Sequence, residues 1–184
     1  MFDHSPQPNK RVRLTLLTEK WVDQLVLWRS QPEAQQHQPI TALGRGRLHQ
    51  YLQSRNPGEL ADLADRDYIF IIEDEDRGGG VGWVTLEIMS RTHGLARIGY
   101  TITKEHWDQG YATAAVKTIA RGLFTETPIE RIEADCSVNN PASRRVLEKC
   151  GFRYVGLKRK YLVIQGQRVD HYHFELCKDD FPGG

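Results

Sequence analysis

The chain has 184 residues, 39% of them apolar, an ordinary makeup for one soluble globular domain with a full core. Lys plus Arg (25) nearly cancel Asp plus Glu (24), so the long-range field of a nucleic-acid or anionic-membrane binder is absent, and neither partner is expected. Cys136, Cys150 and Cys177 form neither an even disulfide set nor a C-x-x-C pair, and there is no signal-peptide stretch or bilayer-length apolar run, which predicts a cytoplasmic protein in a reducing compartment.

Residues 1–9, polar and containing Pro6 and Pro8, read as a loose arm at the start of a single domain spanning 1–184. A strand follows at "RVRLTLL", then a helix through "TEKWVDQLVLWRSQ" with Thr18 as cap and Trp21, Leu25 and Trp28 on one face. Residues 32–46, rich in Gln, Pro and Gly, read as a loop, and "GRLHQYLQS" as a short helix that stops before Asn56-Pro57. "DYIFIIED", "VGWVTLEIM" and "LARIGYTI" read as strands of an antiparallel meander. A helix opens at Gly110, with Ala112, Ala115, Val116, Ile119 and Leu123 at helical spacing. It is followed by a strand "RIEADCSV", a helix from "NNPAS", and two strands, "RYVGLKRKYLVI" and "RVDHYHFELC", joined by a hairpin turn at Gln165-Gly166-Gln167.

The strand-to-helix junction "KEHWDQGYATAAV" carries the first chemical signal. The first amides of a helix lack internal partners and sit at the positive end of its dipole, so they attract phosphate. Gly110 lets a ligand approach, and Ala112, Thr113 and Ala114 keep the first turn uncluttered; a tight connection alone would also explain the glycine. The second signal is "NNPASRRVLEKCGF". There Asn140 suits the N-cap, Pro141 the first helical position and Gly151 the position past the end, while Ser143 falls in the first turn, at the same end of the structure as Gly110.

Together, "IGYTITKEHWDQGYATAAV" and "RIEADCSVNNPASRRVLEKCGF", with the hairpin from Tyr161 to His171, resemble the GNAT superfamily of acyl-CoA-dependent N-acetyltransferases. Within it they are most similar to the RimJ/RimL type, which acetylates N-terminal amines of ribosomal proteins. The resemblance covers about Asp67 to Cys177. It implies a mixed α/β fold with a splayed, mostly antiparallel central sheet flanked by helices on both sides. It also implies acetyl-CoA as cosubstrate, with pyrophosphate on the amides of Gln109, Gly110, Ala112 and Thr113 around Tyr111, pantetheine pairing beside Tyr100 and Ile102, and Asn140 and Ser143 across the slot. Two positions depart from the pattern: Asp108 stands where the family has glycine, and Ala114 where it has glutamate.

By the same resemblance, Asp135 takes the place of a catalytic glutamate in related enzymes. Glu133 lies on the same face by strand alternation, with a solvated strand face as the bland alternative for both, and Glu87, on the neighbouring strand, is a weaker candidate. The tyrosine that protonates the leaving thiolate in many relatives is replaced by Leu147, which leaves Ser143 to hydrogen-bond the thioester sulfur, unless it merely caps its helix. Three further signals are set aside. His171, His173 and Cys177 lack a fourth zinc ligand. "GGGVGW" precedes a strand rather than a helix, the wrong geometry for a dinucleotide. "LKRKY" reads as a solvated basic edge. The expected activity is acetyl transfer to a primary amine, with a protein N-terminus, ribosomal or other, as leading acceptor. A small-molecule amine of aminoglycoside or polyamine type, and a non-catalytic CoA-binding regulator, are the alternatives, and a homodimer is compatible with the resemblance.

Overall fold

A computed structural model describes residues 10–39, 44–54 and 63–181. The predicted arm at 1–9, part of the predicted loop (residues 40–43) and the Asn56-Pro57 stop lie outside the described residues. Strands β1 (Val12–Leu16), β2 (Asp67–Asp74), β3 (Gly80–Ser90), β4 (Leu95–Ile102), β5 (Arg131–Ser137), β6 (Arg153–Ile164) and β7 (Gln167–Cys177) form one sheet in the order β1-β2-β3-β4-β5-β7-β6. Helices are α1 (Glu19–Ser30), α2 (Pro32–Gln35), α3 (Arg45–Gln53), α4 (Tyr111–Glu126) and α5 (Pro141–Lys149). The four-residue α2 lies inside the predicted loop; Pro32 at its first position starts a turn too short to show a helical period. Among the described residues no helix is long and apolar enough to cross a membrane.

Alternation along the strands gives the sheet two different faces. On one, Ile72, Leu86, Ile98, Ile132 and Phe174 pack against α4, which buries Tyr111, Ala115, Val116, Ile119, Ala120, Leu123 and Phe124. Burying each large side chain of this stripe contributes roughly 1.5–3 kcal/mol. On the other face, Ile69, Ile71 and Trp83 pack under α1 and α3, with Trp28 stacked on Trp83 at a centroid distance of 6.4 Å. Beyond Trp83 this second face turns polar: Glu87, Arg97, Glu133 and Asp135 replace the apolar residues.

Every neighbouring pair of strands is antiparallel except β4 and β5, which run parallel and pair only at Leu95↔Arg131, Ala96↔Ile132 and Arg97↔Glu133. Past Arg97 and Glu133 the two strands separate, so the second half of β4 has β3 on one side and an open slot on the other. In an antiparallel pair the N–H and C=O of one residue point to the same side. Thr103 N–H bonds Val81 C=O on the β3 side, so Tyr100 and Ile102 direct their backbone groups into the slot. The closing hairpin is tighter than the sequence suggested. Gln165 (φ 50°) and Gly166 (φ 79°) alone make the turn, Ile164 pairs with Gln167, and two positive φ values are what a type I′ hairpin needs.

Candidate active site

The start of α4 forms one end of the slot. Gly110 holds φ 89° and precedes Tyr111, its C=O accepting the Ala114 N–H at 3.0 Å, so the amides of the first turn have no partner within the helix. Two residues earlier Asp108 also holds a left-handed backbone, φ 56°. This accounts for the first departure from the family pattern: the position requires positive φ, which aspartate tolerates better than most residues besides glycine. Backbone N–H groups in such left-handed turns converge into an anion-binding concavity. Tyr111 takes the first helical position. Its side chain is buried and its hydroxyl donates to the buried Asp74 carboxylate of β2, which fixes the helix start to the sheet.

A cavity of about 550 Å³ runs from this helix start along the slot, between α5 on one side and α2 with residues 36–38 on the other. Tyr100, Ile102, Gly110, Tyr111, Ala112, Thr113, Asn140 and Ser143 all line it; Gln109 does not, its side chain donating to Glu105 C=O. Asn140 caps α5, its Oδ1 accepting the Ser143 N–H at 3.0 Å. The backbone groups expected to meet pantetheine have partners already: Tyr100 C=O accepts from Gln38 Nε2 at 3.0 Å, and Ile102 C=O from Trp107 Nε1 at 2.7 Å. A ligand pairing with these carbonyls would share or displace the two side-chain donors.

On the polar face, the carboxylates proposed as bases are held in a network. Asp135 is 2.8 Å from Lys158 Nζ, 2.8 Å from His173 Nδ1 and 3.9 Å from Arg97 Nε. Glu133 pairs with Arg97 and Arg131, each at 3.3 Å, Glu87 with Arg97 at 3.2 Å, and Glu175 with Arg131 at 2.6 Å. Burial works against the Arg97 charge, but Glu87, Tyr161, Glu133 and Asp135 outweigh it and hold the guanidinium above its ordinary range. Lys158, read from sequence as part of a solvated basic edge, is thus a partner of Asp135. His173 is held by the same carboxylate rather than standing free beside His171 and Cys177.

Several groups of this site were not legible as functional. Arg145, Val146 and Lys149 follow Ala142 at i+3, i+4 and i+7 on the cavity side of α5, a helical stripe that places two cations along the cavity. Phosphates entering at Gly110 would meet charge of the opposite sign there. Thr101 lines the cavity with a buried Oγ1 that has no hydrogen-bond partner among the described residues. Burial pushes the Cys136 and Cys150 thiols up to about 11, and both are fully enclosed, so neither is placed to act as a nucleophile. Leu147 is buried in the core and contributes nothing to the slot.

Helix-start amides with no partner among the described residues, strand backbone facing an open slot, and cations along the opposite helix fit the diphosphate and amide groups of a coenzyme A thioester. Comparison with known proteins agrees. Residues 11–153 match the acetyltransferase (GNAT) domain family. The uncharacterized N-acetyltransferase p20 of Bacillus licheniformis is 29% identical over 95% of this chain and 97% of its own. Two solved structures share the fold. Spermidine N-acetyltransferase from Vibrio cholerae in complex with CoA and spermine has a TM-score of 0.80 at 18% identity, covering 92% of this chain and 96% of that one. Mycobacterium smegmatis RimJ in complex with CoA-disulfide has a TM-score of 0.80 at 24% identity, covering 96% and 87%. The chain therefore belongs to the GNAT acetyltransferase family, and with the family comes its chemistry: this is an N-acetyltransferase that takes its acyl group from acetyl-CoA.

Proposed function

We propose that the acceptor is the α-amine of a protein N-terminus, acetylated by direct attack on the thioester in a ternary complex. The observation that carries this reading is the commitment of Asp135 to Lys158 and His173, with Arg97 close by. A carboxylate so engaged, working through a water with Glu133 beside it, suits an amine that needs little help to become neutral. An α-amine titrates near 7.7–8.0 and a primary alkylamine near 10.4, so at neutral pH the α-amine has a neutral fraction more than about a hundredfold larger. Moreover, each of Glu87, Glu133, Asp135 and Glu175 already has an Arg or Lys within 4 Å, which leaves no unpaired carboxylate among them for the extra cations of a polyamine.

In this scheme the amides of Gly110, Ala112 and Thr113 hold the pyrophosphate, and Tyr111 anchors them through Asp74. The backbones of Tyr100 and Ile102 pair with pantetheine, with Asn140 opposite. The Ser143 hydroxyl faces the thioester sulfur and assists a thiolate whose ordinary pKa, near 8.5, asks for modest help. Thiol release measured with a panel of amines tests the reading. Peptides with a free N-terminus should exceed spermidine at least about tenfold in kcat/KM. A preference for spermidine would replace this acceptor by a polyamine, and binding of acetyl-CoA without turnover of any amine would replace the enzyme by a CoA-binding regulator.

A further inference from the structure

With Leu147 buried, α5 sends no phenol into the slot, but β4 does. The Tyr100 side chain lies on the α4 side of the sheet, packed against the core, and its hydroxyl reaches the first turn of α5, 2.9 Å from Ser143 Oγ and 3.1 Å from Ser143 C=O. The Ser143 backbone cannot drift, because its N–H is held by Asn140 Oδ1 at 3.0 Å. Tyr100 is held in β4 by its pairing with Val84 of β3.

Counting protons shows what this pair can do. The phenol has one proton and two acceptors, Ser143 C=O and Oγ. If the phenol donates to the carbonyl, Ser143 donates to the phenol oxygen and has nothing left for a third atom. If the phenol donates to Oγ, the serine proton is released toward the slot. A negative charge in the slot favours the second arrangement, because each hydrogen bond of the chain then polarises the next.

We propose that Tyr100 is the positioning residue for the leaving group: it donates to Ser143 Oγ so that the serine hydroxyl is directed at the sulfur as the thiolate departs. This rests on the reading that Ser143 faces the sulfur. In the step itself the amine nitrogen forms the C–N bond, the C–S bond breaks, and its electron pair leaves on sulfur as thiolate, while the proton lost from the nitrogen goes to water and the polar-face carboxylates. The phenol keeps its own proton. Burial pushes Tyr100 well above the ordinary phenol range, with the Ser143 bond only partly opposing it, far above a thiol near 8.5, so transfer from phenol to thiolate is uphill. The pair stabilises charge and does not protonate it.

The test needs no turnover. Calorimetric affinities of coenzyme A and of desulfo-coenzyme A, which lacks the thiol, are measured from about pH 6 to pH 9, spanning the ordinary thiol range, for the wild type, Tyr100→Phe, Ser143→Ala and the double variant. In the wild type, coenzyme A should gain about tenfold over the desulfo analogue as the thiol ionises, the value of one hydrogen bond to a charged group. Tyr100→Phe should lose most of that gain, Ser143→Ala all of it, and the double variant no more than Ser143→Ala. Desulfo-coenzyme A should bind all four proteins within about twofold, which shows that the slot has survived. In turnover, Tyr100→Phe should lower kcat about tenfold with KM for acetyl-CoA little changed. If Tyr100→Phe keeps the full gain while Ser143→Ala loses it, the positioning role is wrong and the Ser143 reading stands. If Ser143→Ala keeps the gain, or the wild type shows none, both fall. If Tyr100→Phe weakens both ligands equally, its role is packing and the proposal is overturned.

Discussion

Replacing Gly110 by alanine separates the two jobs assigned to this residue. Among the described residues a Cβ built at Gly110 meets only Lys10 Cγ at 3.9 Å, so the methyl group has room there, and the cost of Gly110→Ala lies in the backbone. Holding φ 89° with a Cβ costs about 1–2 kcal/mol. The smaller entropy of the unfolded alanine chain offsets about half of that, leaving a net loss near 1 kcal/mol. For a chain of this size that is a fall in Tm of roughly 2–4 °C, read by thermal denaturation. The same methyl group would stand over the unpartnered amides of α4. If diphosphate binds there, coenzyme A affinity measured by calorimetry should drop at least about tenfold, more than 1.4 kcal/mol, a loss larger than the stability change and independent of it. A variant with the expected Tm but coenzyme affinity within twofold of wild type would refute the placement of the phosphates. A Tm fall beyond about 10 °C would refute the claim that the space around Gly110 is open.

Asp108→Asn keeps a residue that tolerates positive φ and removes a negative charge. At ~8 Å from a phosphate in water that charge is worth about 0.5 kcal/mol, so coenzyme A should bind two- to threefold more tightly at low salt, with the gain vanishing at high salt in a titration series. Asp135→Asn should lower kcat about a hundredfold with coenzyme A affinity unchanged, as steady-state kinetics and calorimetry would show. It should also cost about 1–3 kcal/mol by leaving Lys158 and His173 short of an acceptor. Tyr111→Phe removes the donor that holds the buried Asp74 below its ordinary pKa. A depressed carboxylate stabilises the fold above its unfolded pKa, near 3.8–3.9, and that contribution disappears as pH falls through the folded value. The variant should therefore lose stability at neutral pH and show a shallower decline below about pH 4 in pH-dependent denaturation.

The sequence by itself determined the elements whose pattern is local. The strands "DYIFIIED", "LARIGYTI" and "RYVGLKRKYLVI" lie at the residues where strand-forming composition and flanking turns put them, and α5 begins at Pro141 behind the Asn140 cap, because strand propensity, turns and capping act over a few residues. The glycine helix start was legible for the same reason, since a left-handed backbone leaves its mark on a single residue. Only the tertiary structure decided what faces what. Tyr100 meets Ser143 across 43 positions, Lys158 meets Asp135 across 23, and His173 meets Asp135 across 38, and in each case the partners are brought together by the parallel step between β4 and β5 or the placement of β7 inside β6. A tyrosine on a strand and a lysine in a basic run have no local signature of their partners. Their chemistry was set by sheet order, which depends on contacts distant along the chain.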